Sequence, residues 1–123
     1  MACFKLAPAL ACGNTVVLKP AENTPLTALR LGELLLEAGL PEGVLNVVPG
    51  FGADAGEALV KSKLVDKIAF TGSTVVGKSI LMNAGIKRIT LEMGGKNPMI
   101  IMNDADIPTA LFYAQLGGFV NSG

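Results

Sequence analysis

Short apolar runs alternate with helical patterns along the whole chain, and this alternation constrains the fold more than any other feature. The runs predicted as strands are rich in β-branched residues and cover 15–19, 44–48, 67–71, 87–92 and 98–102. The segments with helical spacing or capping residues cover 1–12, 24–38, 53–61, 73–84 and 107–120. Strands that alternate with helices pair in parallel through right-handed crossovers. The sequence therefore predicts an α/β fold with a parallel sheet and helices on both faces.

The composition agrees with such a sheet and excludes several function classes. Half of the 123 residues are apolar and the mean hydropathy is +0.52, which suits strands that helices cover on both faces. The formal net charge is zero and no basic cluster is present, so we expect no nucleic-acid partner. The chain has no histidine, so we expect neither histidine catalysis nor a histidine-bound metal within it.

The N-terminal segment holds both cysteines of the chain. Cys3 and Cys12 form no Cys-x-x-Cys pair and lie in an alanine-rich apolar stretch, so we expect buried, reduced thiols. The stretch is short and is interrupted by Lys5, which argues against a membrane span or a secretion signal. We therefore expect a helix of the domain, no membrane partner and no targeting segment.

A single carboxylate, Glu92, stands where an apolar strand gives way to two glycines. The surrounding run reads I-T-L-E-M-G-G-K-N-P. The strand would fix the root of the side chain, and Gly94 and Gly95 would let the backbone approach a ligand. A carboxylate in this position is suited to general-base catalysis. On the residues alone, a solvated acid at a strand end stays open as the alternative.

Further residues with ligand-binding chemistry follow other predicted strands, and ligands of such sheets bind outside the carboxyl ends of the strands. A lysine and a glutamate just past a strand can bracket a ribose, because the carboxylate accepts from the sugar hydroxyls and the ammonium donates. An exposed ion pair is the alternative interpretation. The groups are Lys19 with Glu22, Gly50 with Gly52, and Gly72 with Ser73.

Residues 72–79 match G-x-x-x-x-G-K-S, the pattern of a phosphate-binding loop in nucleotide hydrolases. An apolar run that ends at Asp104 would supply the second motif of such a hydrolase. The β-branched residues at 74–76 argue against this interpretation, because they resist the unusual φ values that the loop requires. They favour a first helical turn, capped by Ser73, whose N–H groups face the pyrophosphate of a dinucleotide.

Segments in the same order along nearly the whole chain resemble the aldehyde dehydrogenase superfamily. The resemblance implies a Rossmann-like NAD-binding domain over residues 1–123, incomplete at both ends. It also implies a parent enzyme that oxidises an aldehyde to a carboxylic acid with NAD as cofactor. The segments are G-N-T-V-V-L-K-P-A-E at 13–22, P-G-F-G at 49–52, F-T-G-S-T at 70–74 and L-E-M-G-G-K-N-P at 91–98.

The resemblance also implies roles for individual residues. Glu92 matches the general base of the family, and Lys5 matches a lysine near a proton relay. Lys19 and Glu22 match the pair that holds the adenosine ribose, where a glutamate disfavours the 2′-phosphate of NADP. The other matches with cofactor-binding positions are Gly52, Gly72, Ser73, Thr74, Gly77 and Met93; no metal ligand is implied.

The family's nucleophilic cysteine lies in a segment like N-x-G-Q-x-C. Residues 121–123 resemble the opening of that segment. Cys3 and Cys12 match no catalytic position, so we expect the chain alone to be inactive. The resemblance further implies a homo-oligomeric parent in the cytoplasm or mitochondrial matrix, with a small aldehyde as its partner. The alternatives are a P-loop nucleotide hydrolase that uses residues 72–79 and a non-catalytic interaction module.

Overall fold

Helices and strands alternate in the structure as the sequence predicts. The computed structural model describes residues 1–96 and 98–120. The α/β class is confirmed, and most elements lie within about two residues of their predicted bounds. In chain order they are α1 (Ala2–Ala11), β1 (Val16–Leu18), α2 (Leu26–Glu37), β2 (Leu45–Val47), a π-helical turn (Gly52–Gly56), α3 (Glu57–Lys61), β3 (Lys67–Thr71), α4 (Thr74–Asn83), β4 (Arg88–Glu92) and α5 (Ile107–Phe119).

All the strand pairing between these elements is parallel. β1 pairs with β2, and Val16 lies opposite Leu45. β3 pairs with β4, and Thr71 lies opposite Glu92. Within residues 1–96 and 98–120 the strands form two separate two-stranded ladders. Parallel strands need a crossover connection, which α2 supplies in the first ladder and α4 in the second, so each ladder is one βαβ unit.

Each ladder packs a helix against one face. Phe70 and Leu91 are half-buried on the face that α4 covers, whereas the alternate residues of β3 and β4 are exposed. In the first ladder α2 lies close to β2, because a Cβ added at Gly32 would lie 3.2 Å from Cγ2 of Val47. The sequence predicts helices on both faces, but the alternate residues of β1 and β2 are exposed too.

Burial is confined to a few residues, and much apolar surface stays exposed. The buried residues of the described chain are Leu6, Pro20, Ala28, Gly77, Ile80 and Ala84. Helix α5 contains no buried residue. None of the described helices is both long enough and apolar enough to cross a membrane.

Three details of the sequence prediction are wrong. Residues 98–102 form no strand, because no described strand lies beside them; Met99 and Met102 instead line an open apolar groove with Tyr113 of α5. Cys3 and Cys12 are exposed, because Leu6 occupies the buried side of α1. The helix predicted from residue 24 starts later, because α2 begins at Leu26 with Pro25 as its N-cap.

The start of α5 depends on a carboxylate cap. The Asp106 carboxylate accepts a hydrogen bond of 2.9 Å from the main-chain N–H of Thr109. This bond favours the ionised form and lowers the pKa of Asp106 below the ordinary aspartate value. The folded state therefore holds its proton less tightly than the unfolded chain does.

We expect the cap to be lost in acid. The stability it adds to α5 is fully present above the unfolded-state pKa of Asp106 and disappears as the pH falls through the lower folded-state pKa. The NMR amide resonance of Thr109 should titrate with a midpoint below the ordinary aspartate value. In Asp106→Asn the side-chain oxygen still caps the helix but does not titrate, so the pH response should vanish. A response that persists in Asp106→Asn would contradict the assignment.

Candidate active site

The carboxyl ends of β3 and β4 bring Glu92 beside the turn that precedes α4. Thr71 and Glu92, the last residues of the two strands, are register partners. The main-chain N–H of Gly72 donates to the carbonyl oxygen of Glu92 at 3.1 Å. Glu92 is exposed, and by strand alternation its side chain lies on the face that α4 leaves uncovered. Its carboxylate is thus anchored at the root and accessible to water or a ligand.

The first turn of α4 presents main-chain donors at the same edge. Ser73 is the N-cap, and its Oγ accepts a hydrogen bond of 3.3 Å from the N–H of Val76. The N–H groups of Thr74 and Val75 have no acceptor among the described residues. Free N–H groups at a helix N-terminus, together with the helix dipole, attract an anion such as a phosphate.

The same geometry disfavours the nucleotide-hydrolase interpretation. Residues 74–76 are helical from Thr74 onwards, so they form a regular turn and not a loop that wraps around phosphate. Gly77 donates its N–H to the carbonyl of Ser73 at 3.0 Å, which withdraws another donor from any such cradle. The run that ends at Asp104 is not a strand, so the second hydrolase motif lacks its structural context.

Lys19 and Glu22 form an anchored pair just beyond β1. The Lys19 ammonium donates to the carbonyls of Pro20 at 2.8 Å and Gly50 at 3.0 Å. It lies 3.6 Å from the Glu22 carboxylate, and the two side chains are 18% and 47% exposed. The lysine is therefore held by the protein, whereas the glutamate keeps acceptor capacity for a ligand. This arrangement differs from the freely exposed ion pair that stayed open from the sequence.

Gly52 begins the π-helical turn that follows the Gly50 loop. At the other end of this turn Gly56 lies against the Lys19 stem: a Cβ added there would be 3.6 Å from Lys19 Cδ. π-Helical turns are rare and frequently occur at functional sites. Gly56 is not among the residues predicted from the sequence, although the spacing Gly-x-x-x-Gly from Gly52 to Gly56 is visible there.

Gly77 allows α4 to approach the end of β4. A Cβ added at this buried residue would overlap the sulfur of Met93 and lie 3.7 Å from Cδ1 of Leu91. A Cβ added at Gly94 would lie 3.7 Å from Oγ1 of Thr74. The close approach fixes where Met93 leaves the strand. The structure shows that Gly77 and Met93 pack against each other. Contacts of these two residues with a cofactor remain predictions.

Lys5 lies on α1, outside the ladder that carries Glu92. It is half-buried on α1, which packs against β1. In residues 1–96 and 98–120 no hydrogen bond or ion pair joins Lys5 to Glu92. The same part of the chain contains no group of three or more metal-binding side chains. Asn97 and residues 121–123, where the start of a cysteine segment is predicted, lie outside the described residues.

The predicted site residues thus form two groups. The carboxyl edge of the second ladder carries Glu92 and the start of α4, and the carboxyl end of β1 carries Lys19 and Glu22. The segment from Gly50 to α3 lies between them, because it contacts Lys19 at one end and continues into a helix that packs on α4.

Comparisons with known proteins give a consistent answer. The family model described as "Aldehyde dehydrogenase family" matches residues 1–123. The chain is 56% identical over its full length to a mitochondrial aldehyde dehydrogenase of Leishmania tarentolae. It is also 56% identical to human retinaldehyde dehydrogenase 3 over 100% of this chain. The chain spans about a quarter of the length of these curated relatives, 25% of each.

Solved structures agree with the sequence relatives. The crystal structure of PnpE from Pseudomonas sp. WBC-3 has a TM-score of 0.89 and 51% identity, over 94% of this chain and 24% of that chain. A betaine aldehyde dehydrogenase from Staphylococcus aureus, solved in complex with NAD⁺, has a TM-score of 0.87 and 46% identity. That match covers 96% of this chain and 24% of the other.

The contact between Gly77 and Met93 gives a stability prediction. Gly77→Ala should lower the free energy of unfolding by about 1–3 kcal/mol through overpacking. We expect a loss towards the lower end of this range, because Met93 is 39% exposed and flexible. The double variant Gly77→Ala with Met93→Ala should recover most of this loss. Urea unfolding measures both.

Gly118→Ala is the matched control, because it is also a helical glycine but an added Cβ meets nothing within 4 Å. It should be neutral or stabilise by up to about 1 kcal/mol. A Gly77→Ala loss that Met93→Ala leaves unchanged would show that the Met93 contact is not its cause.

Proposed function

The chain belongs to the aldehyde dehydrogenase family, and on that premise we propose that it forms the NAD-binding part of an enzyme that oxidises an aldehyde to a carboxylic acid. The observation that carries the proposal is the shared edge of β3 and β4, where Glu92 stands beside the start of α4. A base and a set of anion-binding donors are thereby presented together. Two of the similar structures, PnpE and the betaine aldehyde dehydrogenase, are described as complexes with NAD.

The residues of this chain suit the parts of NAD. Lys19 and Glu22 would hold the adenosine ribose, since the Glu22 carboxylate is half-exposed and can accept from two hydroxyls. The N–H groups of Thr74 and Val75, at the end of a helix capped by Ser73, would hold the pyrophosphate. At Gly72 an added Cβ would lie 2.5 Å from the ring of Phe70, so the close packing of this ring favours glycine at the turn before α4. Gly52 would contribute to the ribose side.

When bound, NAD supplies the hydride acceptor of the reaction. The proposed task of Glu92 is to accept a proton from the water that releases the acyl group from a thioester. The main-chain bond from Gly72 fixes the strand end that carries it, and Met93 follows directly, where its backbone would lie beside the nicotinamide. Lys5 is proposed, on the resemblance alone, to belong to a proton relay.

The nucleophilic thiol is proposed to come from outside this chain. Cys3 and Cys12 are exposed and lie on or beside α1, not on the ladder that carries Glu92. The substrate class is a small aldehyde. We further propose a homo-oligomer located in the cytoplasm or the mitochondrial matrix, and the mitochondrial enzymes among the relatives support the second location.

Replacement of Glu92 tests the proposed base. In the full-length enzyme Glu92→Gln keeps size and hydrogen bonding but cannot accept the proton. Steady-state turnover should fall by a factor on the order of 10² to 10⁴, while the Kd of NAD changes little. Glu42→Gln, in an exposed turn, is the control and should behave as wild type. Near-normal turnover of Glu92→Gln would show that Glu92 is a surface acid and not the general base.

Replacement of Glu22 tests coenzyme selectivity. The wild-type enzyme should prefer NAD, because the Glu22 carboxylate crowds and repels a 2′-phosphate. Glu22→Ser should narrow the ratio of kcat/KM for NAD over NADP, and Glu22→Gln should narrow it less because the crowding remains. Steady-state kinetics with both coenzymes measure the ratio. Equal kcat/KM values for the two coenzymes in the wild type would refute the role of this carboxylate.

A further inference from the structure

Lys87 joins helices α3 and α4 at their C-terminal ends. Its ammonium donates to the carbonyl of Val60 at 2.6 Å and to the carbonyl of Ala84 at 2.9 Å. Val60 lies in the last turn of α3 and Ala84 is the C-cap of α4. The lysine is half-buried in the turn between α4 and β4. The C-terminal ends of the two helices are thus tied to one charged group.

The chemistry of these contacts makes them stronger than an ordinary surface bond. The last carbonyls of a helix have no donor within the helix, and they carry the negative end of its dipole. A hydrogen bond from a charged donor to such a carbonyl contributes more than one between neutral groups. Ala84 is only 2% exposed. Gly85, with φ of 65°, turns the chain so that Lys87 reaches back over the helix end.

The helices joined in this way lead to the two groups of site residues. α3 continues the π-helical turn, and the other end of that segment is bound through the Gly50 carbonyl to Lys19. α4 begins at Ser73 and Thr74, beside Glu92. The segment from Gly50 to Lys61 is therefore held to the ribose-binding pair at one end and to α4 at the other.

We propose that Lys87 is a positioning residue that sets the separation between the ribose-binding pair, Lys19 and Glu22, and the pyrophosphate-binding start of α4. The inference rests on the proposed function, because it concerns a ligand that spans both groups. NAD touches both, whereas adenosine, which carries the ribose but no phosphate, depends on the first alone. Loss of Lys87 should weaken the binding of NAD and spare that of adenosine.

Calorimetric titration of the full-length enzyme with NAD and with adenosine tests the proposal. Lys87→Met, which keeps the stem but removes the donor, should raise the Kd of NAD on the order of 10-fold and change the Kd of adenosine by less than about threefold. Lys87→Arg keeps a charged donor and should restore most of the affinity for NAD. Lys63→Met, at an exposed position after α3, is the control for loss of one positive charge and should change neither Kd.

Hydrogen exchange gives a readout that needs no ligand. The N–H of Ser62, which bonds to the carbonyl of Ala58 at 2.9 Å, should exchange faster in Lys87→Met than in wild type or Lys87→Arg. Should Lys87→Met not fold, Lys87→Gln replaces it as a neutral variant in both measurements.

Different outcomes separate the two proposals. If the wild type binds neither NAD nor adenosine, the proposed function fails, and the positioning role fails with it, whatever the exchange rates show. If the wild type binds NAD and Lys87→Met binds it equally well, only the role of Lys87 is overturned. Equal losses of NAD and adenosine affinity in Lys87→Met would overturn it too, because they would indicate a general loss of structure.

Discussion

The bond from the Lys19 ammonium to the Gly50 carbonyl is the interaction on which the arrangement of the site depends. Each ladder contains only two strands, and a two-stranded unit is marginal by itself, so the segment between the ladders decides how the structure holds together. That segment runs from Gly50 through the π-helical turn into α3. Lys19 fixes its start through a bond of 3.0 Å, and the packing of α3 on α4 continues the connection.

The contacts of Lys19 also explain why Glu22 is available to a ligand. An exposed ion pair contributes about 0–1 kcal/mol, whereas a hydrogen bond that involves a charged group contributes about 1.5–3 kcal/mol. The carbonyls of Pro20 and Gly50 lie at 2.8 and 3.0 Å from the ammonium, and the Glu22 carboxylate lies at 3.6 Å. The carbonyls therefore hold the lysine, and the carboxylate is a neighbour with free acceptor sites.

Local patterns predicted the parts of the fold that depend on neighbours in sequence. β3 was predicted at its observed bounds, and Ser73 caps α4 as its position before three β-branched residues indicates. The predictions that are wrong concern contacts with residues distant in sequence. The run 98–102 has the composition of a strand but no strand beside it, and Cys12 has apolar neighbours in sequence but none that bury it. The Lys87 contacts were missed for the same reason, because nothing in the sequence relates Lys87 to Val60.

The chain has far more apolar residues than it buries, and this difference concerns its stability more than the proposed binding site. Half of the chain is apolar, yet the strands of both ladders leave alternate residues exposed and α5 contains no buried residue. The site geometry does not depend on that missing burial. A main-chain bond joins Gly72 to Glu92, a hydroxyl caps α4, and carbonyls hold Lys19. These are local polar contacts at strand and helix ends, so the geometry of the proposed ligand-binding edge rests on bonds that do not involve the exposed apolar faces.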